Sequence, residues 1–350
     1  MDNTFAGDLS QLEFTGISKR IAWNRTSMFD WLFVIFGGLP FYLPFIFLLG
    51  ENALGRQHPI YWYFWANAAV SAPHVYATYC RLARKISEGR VSWLAGFPCY
   101  LAMAGFLGYA TVKGFFLEAM TGVNVWQSIH YVRQGYGVSR VYSRSSLNDA
   151  LGKKLSYLAF HLAMPLFVLG RWHTLYTVWG GKASTAIIPV HFSAWCMNTC
   201  WFLGAIAVML GIAAEIRTYQ EAASEYDPTR AVAMIVFFAI HVFGFLSIRY
   251  YQRGFFAVTI FHALQYLSLV WKFERVHAMG KLEQVVKLIP GPVAFLFFWA
   301  ILFGAGYFFE NYLVNFGNRL WTYLPGVLLS AISAHHYAVD TIMWRRKAGA

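Results

Sequence analysis

Residues 330–344 read SAISAHHYAVDTIMW. Two adjacent histidines, His335 and His336, and one acid, Asp340, lie inside the apolar run Leu320–Trp344. That run is long enough to cross a bilayer, which takes about 20 mostly apolar residues. Ionisable groups are expensive in hydrocarbon, so inside a span they mark a functional site by default. If the run is a span, the chain is a membrane protein, and other spans must supply partners for these groups.

The composition agrees with that reading. The chain is 58% hydrophobic and only 13% charged, against roughly 25% charged in a soluble domain. The expected fold class is all-α, a polytopic transmembrane helix bundle. Ten apolar runs are read as spans: Met28–Gly50, Ile60–Arg81, Ser92–Ala110, Lys113–Gly137, Leu155–Leu175, Ile188–Ile212, Arg230–Ile248, Phe255–Trp271, Leu288–Phe309 and Leu320–Trp344. Residues 1–27 form a polar N-terminal segment, 28–344 the transmembrane domain, and 345–350 a basic tail. The third and fourth spans are joined by almost nothing around Thr111–Gly114. Proline falls inside several runs (Pro40, Pro44, Pro73, Pro98, Pro165, Pro325), and kinks are expected there.

The net charge of +12 invites a nucleic-acid reading, but the cations sit in short loops between apolar runs. With the N-terminus in the cytoplasm, 21 of the 28 basic residues fall on the cytoplasmic side. That bias obeys the positive-inside rule, and it places both termini in the cytoplasm of a bacterial inner membrane. No cleavable leader is read ahead of the first span. The polar stretches Arg133–Lys154 and Arg217–Arg230 are expected as cytoplasmic loops or short surface helices, with Thr229 capping the seventh span. The four cysteines show no metal-finger or CxxC spacing.

On this topology seven of the eleven histidines fall in the inner half or middle of the bilayer. They are His74, His130, His161, His241, His262, His335 and His336. His58, His173 and His191 fall at the opposite face, and His277 in a cytoplasmic loop. A lone histidine on an apolar helix is usually just hydrogen-bonded to a neighbour. Several on separate spans at one depth point instead to a metal, because neutral imidazole suits iron, zinc and copper. Helical spacing gives four of them a polar companion one turn on: Asp340 after His336, Gln134 after His130, Tyr266 after His262, Thr78 after His74. Such groups orient ligating imidazoles by accepting the second ring N–H.

Other chemistry lacks its motif. There is no midspan lysine for a Schiff base, no phosphate loop, no G-x-S-x-G elbow, no H-E-x-x-H, and no pair of histidine boxes as in fatty-acid desaturases.

Four segments, SAPHVY with Pro73-His74, SIHYVRQ with His130, IFHALQY with His262, and AHHYAVD with His335 and Asp340, resemble the Brp/Blh family of membrane dioxygenases that cleave β-carotene to retinal. The resemblance implies a polytopic helical fold with histidines from separate spans around one iron. It departs at Gln134, where the family has Asp, and at Tyr266, where the family has a second His.

The expected function is therefore a membrane non-haem iron oxygenase. The ligands are His74, His130, His262 and one or both of His335 and His336. The metal is Fe(II), mononuclear, or dinuclear with His161 and His241 as added ligands. Gln134, Asp340 and Tyr266 orient ligands or relay protons. The partners are O2, a lipophilic carotenoid-like or lipid substrate, membrane lipids and a candidate electron donor, with no nucleic acid. Two other readings stay open: a b-type haem electron carrier, and a transporter or proton channel with a histidine relay.

Overall fold

Every one of the ten apolar runs carries a helix. In these runs the side chains leave backbone N–H and C=O groups no polar partner but each other. The computed structural model describes residues 28–48, 67–142, 150–170, 192–222, 228–246, 257–272, 291–320 and 323–343, and they contain no strand. The α-helices are α1 (Leu39–Leu48), α2 (Ala72–Ser87), α3 (Phe97–Lys113), α4 (Phe116–Val141), α5 (Ala150–Gly170), α6 (Ala194–Ala222), α7 (Thr229–Leu246), α8 (257–272), α9 (Gly291–Leu320) and α10 (Leu324–Met343). π-Helical turns precede α1 and α2, and the 3-10 turn Trp93–Ala95 precedes α3.

Among the described residues, three helical stretches are long and apolar enough to cross a membrane: Trp93–Lys113, Ala194–Glu221 and Val293–Leu313. Their exposure pattern says more than their composition. On α6, Phe202, Ile206, Met209 and Ile216 recur at helical spacing and are all exposed. On α9 the same holds for Phe297, Ile301, Phe308 and Tyr312. Meanwhile His, Asp, Arg and Gln side chains are buried. Large apolar side chains outside and ionisable ones inside is the distribution that a hydrocarbon solvent selects.

The chain divides into two compact units. The described part of the first comes from 28–47 and 128–262. Its core is aromatic and built on α4, α5, α7 and α8, with Phe160, Phe167, Phe237, Phe238 and Phe261 at the centre. Small residues let these helices approach. A Cβ on Gly135 would meet the Phe237 ring, with Cζ only 2.9 Å away. Arg230 of α7 donates from Nε to Glu215 Oε1 of α6 at 2.6 Å, and from its guanidinium to Thr218 Oγ1 at 3.2 Å. All three residues are buried.

The second unit comes from 67–127 and 263–343. Here α10 packs against α2, α3 and α9. Leu107, Val327 and Ala331 make one cluster, and Leu82 with Val339 another. Trp299 Nε1 donates to the Ala69 carbonyl, fastening α9 to the turn before α2. Gly306 gives Tyr76 room on the same contact.

Three details differ from the sequence expectation. Arg133–Arg140 is not loop: α4 continues through it to Val141, because Tyr136, Val138 and Arg140 turn into the first unit's interior. Pro40, Pro73, Pro98 and Pro325 stand at the first turns of α1, α2, α3 and α10, where a missing N–H does no harm. Of the six prolines only Pro44 and Pro165 lie deeper in a helix. Thr229 is the first residue of α7 rather than its cap, since the Pro228 carbonyl accepts from the Val232 N–H. The join between the third and fourth runs is as short as expected, a left-handed Gly114 (φ 81°) between α3 and α4.

Candidate functional site

In the first unit α4 and α8 bring His130 and His262 together. Both imidazoles are buried, and their Nε2 atoms lie 3.0 Å apart, a hydrogen bond in which one ring's N–H meets the other's lone pair. The rings meet nearly edge-on, with centroids 4.7 Å apart. Tyr131 packs over His262 at 4.2 Å and also reaches His241 at 6.4 Å. Gln134 donates its amide to the His262 backbone carbonyl at 2.8 Å. That bond pins the α8 backbone at His262.

His241 is buried in α7 with Nδ1 2.6 Å from the Phe237 carbonyl. His161, on α5, is only half-buried, stacked on Tyr157, with Nδ1 2.9 Å from that residue's carbonyl. A carbonyl can only accept, so in each case the proton sits on Nδ1 and Nε2 carries the lone pair of the neutral ring.

In the second unit α2 and α10 bring His74 and His336 into edge-to-face contact, with centroids 4.4 Å apart. His74 Nδ1 donates to the Ser71 carbonyl at 2.9 Å. Its Nε2 is therefore the lone-pair nitrogen, the tautomer a metal ligand needs. Tyr266 of α8 packs edge-on against His74 at 5.2 Å. The Tyr266 hydroxyl accepts from Thr78 Oγ1 at 2.7 Å and donates to Asp340 Oδ1 at 2.6 Å. Tyr266, Thr78 and Asp340 are all buried. Asp340 thus takes a tyrosine hydroxyl from another helix; Arg345 and Arg346, its sequence neighbours, lie outside the described residues.

The adjacent pair on α10 splits. His335 turns to the other side, with Nε2 2.8 Å from the Ala95 carbonyl and Nδ1 3.2 Å from the Tyr79 hydroxyl. Its ring stacks on Tyr79. Neighbouring residues on a helix are about 100° apart, so one face cannot hold both. His335 fastens α10 to α2 and to the turn before α3, while His336 faces His74.

His74, His130, His262, His336 and Asp340 are all buried and all offer atoms that could hold a metal. His58, His173, His191 and His277 lie outside the described residues. Sequence reasoning missed Tyr79, Tyr131 and the Glu215–Arg230 pair. For that pair a signal existed: an acid and a base, each close to the end of an apolar run, separated by one short connection.

No protein-family model, curated protein or solved structure matches this chain.

Proposed function

We propose that the chain is an integral-membrane oxidoreductase built around non-haem iron. It would act with O2 on a lipophilic, carotenoid-like or lipid substrate, on a plan similar to that of the Brp/Blh dioxygenases. The topology that goes with this reading is ten spans with both termini in the cytoplasm of a bacterial inner membrane. The candidate ligands are those the sequence suggests, His74, His130, His262 and His336, with His241 and His161 available to a second ion.

The 3.0 Å approach of His130 and His262 carries the reading. Imidazole binds a first-row metal at about 2.0–2.1 Å, so two such ligands at right angles lie about 3.0 Å apart, while two on opposite sides lie about 4 Å apart. The pair therefore suits adjacent positions on an ion better than the two faces of a haem. The Nδ1–H tautomer of His74 fits the same donor set.

Bound iron with imidazole ligands and an open position would supply O2 activation and an oxidant. The chain's own residues do the rest. Tyr131 and Tyr266 hold the imidazole planes and exclude water from them. Thr78, Tyr266 and Asp340 form a line along which a proton held at the tyrosine hydroxyl can pass to the carboxylate. The exposed aromatic faces of α6 and α9 would leave the substrate's approach in the hydrocarbon. A reductant would be the remaining partner.

Metal analysis and a visible spectrum of the purified protein test the proposal. Iron without a Soret band is the expected result. Stoichiometric haem would replace it with the electron-carrier reading, and fully active protein without any transition metal would replace it with the histidine-relay transporter.

A further inference from the structure

The end of α2 gathers charge in an unusual way. Residues 81–90 carry four cations, Arg81, Arg84, Lys85 and Arg90, against one acid, Glu88. The helix stops at Gly89, whose φ is +66°. Gly89 N–H donates to the Ile86 carbonyl at 3.0 Å, and Arg90 N–H to the Lys85 carbonyl at 2.9 Å. This is a Schellman stop, and it needs glycine for its backbone angle. Crowding is not the reason, because a Cβ there would meet nothing within 4 Å. Val91 N–H reaches the same Lys85 carbonyl at 3.2 Å, so the chain folds back over the last turn.

The fold-back brings Arg90 to the same acid as Arg84, while Arg81 is buried. Glu88 sits between two guanidiniums, 3.8 Å from Arg84 Nε and 3.3 Å from Arg90 Nε. Its carboxylate faces both guanidiniums, and its charge also acts on Lys85. Burial, then Arg81, Arg84 and Arg90, lower the Lys85 ammonium to about 8, with Glu88 opposing. A further anion would relieve that repulsion.

Next to the cations the chain turns apolar. Ser92 Oγ accepts from the Leu94 N–H and starts the Trp93–Ala95 turn. Trp93, Leu94 and Phe97 are 65%, 55% and 68% exposed, at the start of the membrane-length stretch Trp93–Lys113. Tryptophan belongs at the headgroup level of a bilayer, and cations beside it meet the phosphates.

We propose that this turn binds the phosphate of an anionic phospholipid headgroup, with Arg84, Lys85 and Arg90 around the phosphate and Trp93, Leu94 and Phe97 along its acyl chains. The occupant is a lipid rather than a free anion because the apolar half of the surface adjoins the charged half. The inference rests on Trp93–Lys113 being a membrane helix, and is independent of the metal.

The test is native mass spectrometry of the full-length protein in neutral detergent, titrated with phosphatidylglycerol or phosphatidylcholine, with inorganic phosphate as competitor. The wild type should retain phosphatidylglycerol selectively. The triple variant Arg84→Gln/Lys85→Gln/Arg90→Gln should bind it about 100-fold more weakly, at about fivefold per cation near an anionic headgroup. Glu88→Gln should bind it about fivefold more tightly, a gain that a misfolded protein would not give. Metal content of both variants should match wild type, which separates failure here from failure of the metal reading. Equal retention of the two lipids, an unchanged triple variant, or weaker binding by Glu88→Gln would overturn the proposal. So would displacement of the lipid by millimolar phosphate.

Discussion

Removing one oxygen atom at Tyr266 tests the line Thr78–Tyr266–Asp340 most cleanly. Tyr266→Phe keeps the ring against His74 and deletes only the hydroxyl. That hydroxyl lies in a fully buried side chain and makes two short bonds, 2.7 Å from Thr78 and 2.6 Å to Asp340. A bond to a carboxylate contributes about 1.5–3 kcal/mol and a neutral one about 0.5–1.5 kcal/mol. Asp340 and Thr78 both stay buried after the change, so water can restore little. The expected loss is about 2–4 kcal/mol of unfolding free energy, read from reversible SDS titration in mixed micelles. Asp340→Asn should lose less, because an amide oxygen still accepts from the tyrosine. The double variant should then cost about 1–2 kcal/mol less than the two singles combined, the signature of a direct contact. A loss below about 0.5 kcal/mol for Tyr266→Phe, or additive singles, would refute the hydrogen-bonded line.

Three other expectations follow from the packing and the charges. Arg230→Met or Glu215→Gln leaves a buried charge of α6 or α7 without its partner and should cost about 3–5 kcal/mol, while Glu215→Leu/Arg230→Met together should recover most of it; two cheap single changes would contradict the pair. Gly135→Ala should cost about 1–3 kcal/mol by pushing on Phe237, and a neutral result in thermal unfolding would contradict that close approach. Lys85 is lowered from its ordinary 10.5 to about 8 in the folded chain. Between those values the unfolded chain holds a proton that the folded chain has released, so stability should rise with pH across that window and Lys85→Gln should flatten the rise. Amine labelling that reports 10.5 at Lys85 would sink this.

Much of the fold could be read from the sequence, because hydrocarbon-length apolar runs leave the backbone one option. Among the described residues each such run carries a helix, and His74, His130, His241, His262, His335 and His336 are buried. What failed was information held in other segments. Arg133–Arg140 looks like loop because its residues are polar, yet Tyr136, Val138 and Arg140 find an interior supplied by the rest of the first unit. The roles of His335 and His336 could not be divided by depth, since they share it. Their separation comes from rotation about α10, which Ala95 and Tyr79 fix from distant stretches of chain. Gln134 sat at the right spacing to hold His130, but its amide reaches a backbone carbonyl on another helix. Spacing along a helix gives a face, and it does not say which neighbour occupies that face.

The central claim is that buried histidine pairs hold a metal, and metal content measures it directly. Iron per chain should be quantified in the purified wild type and in His130→Ala, His262→Ala, His74→Ala and His336→Ala, with His335→Ala as the histidine whose ring is occupied by Ala95 and Tyr79. The account predicts stoichiometric iron in the wild type and in His335→Ala, and its loss in His130→Ala and His262→Ala above all. Stoichiometric metal in all of the first four variants would contradict it.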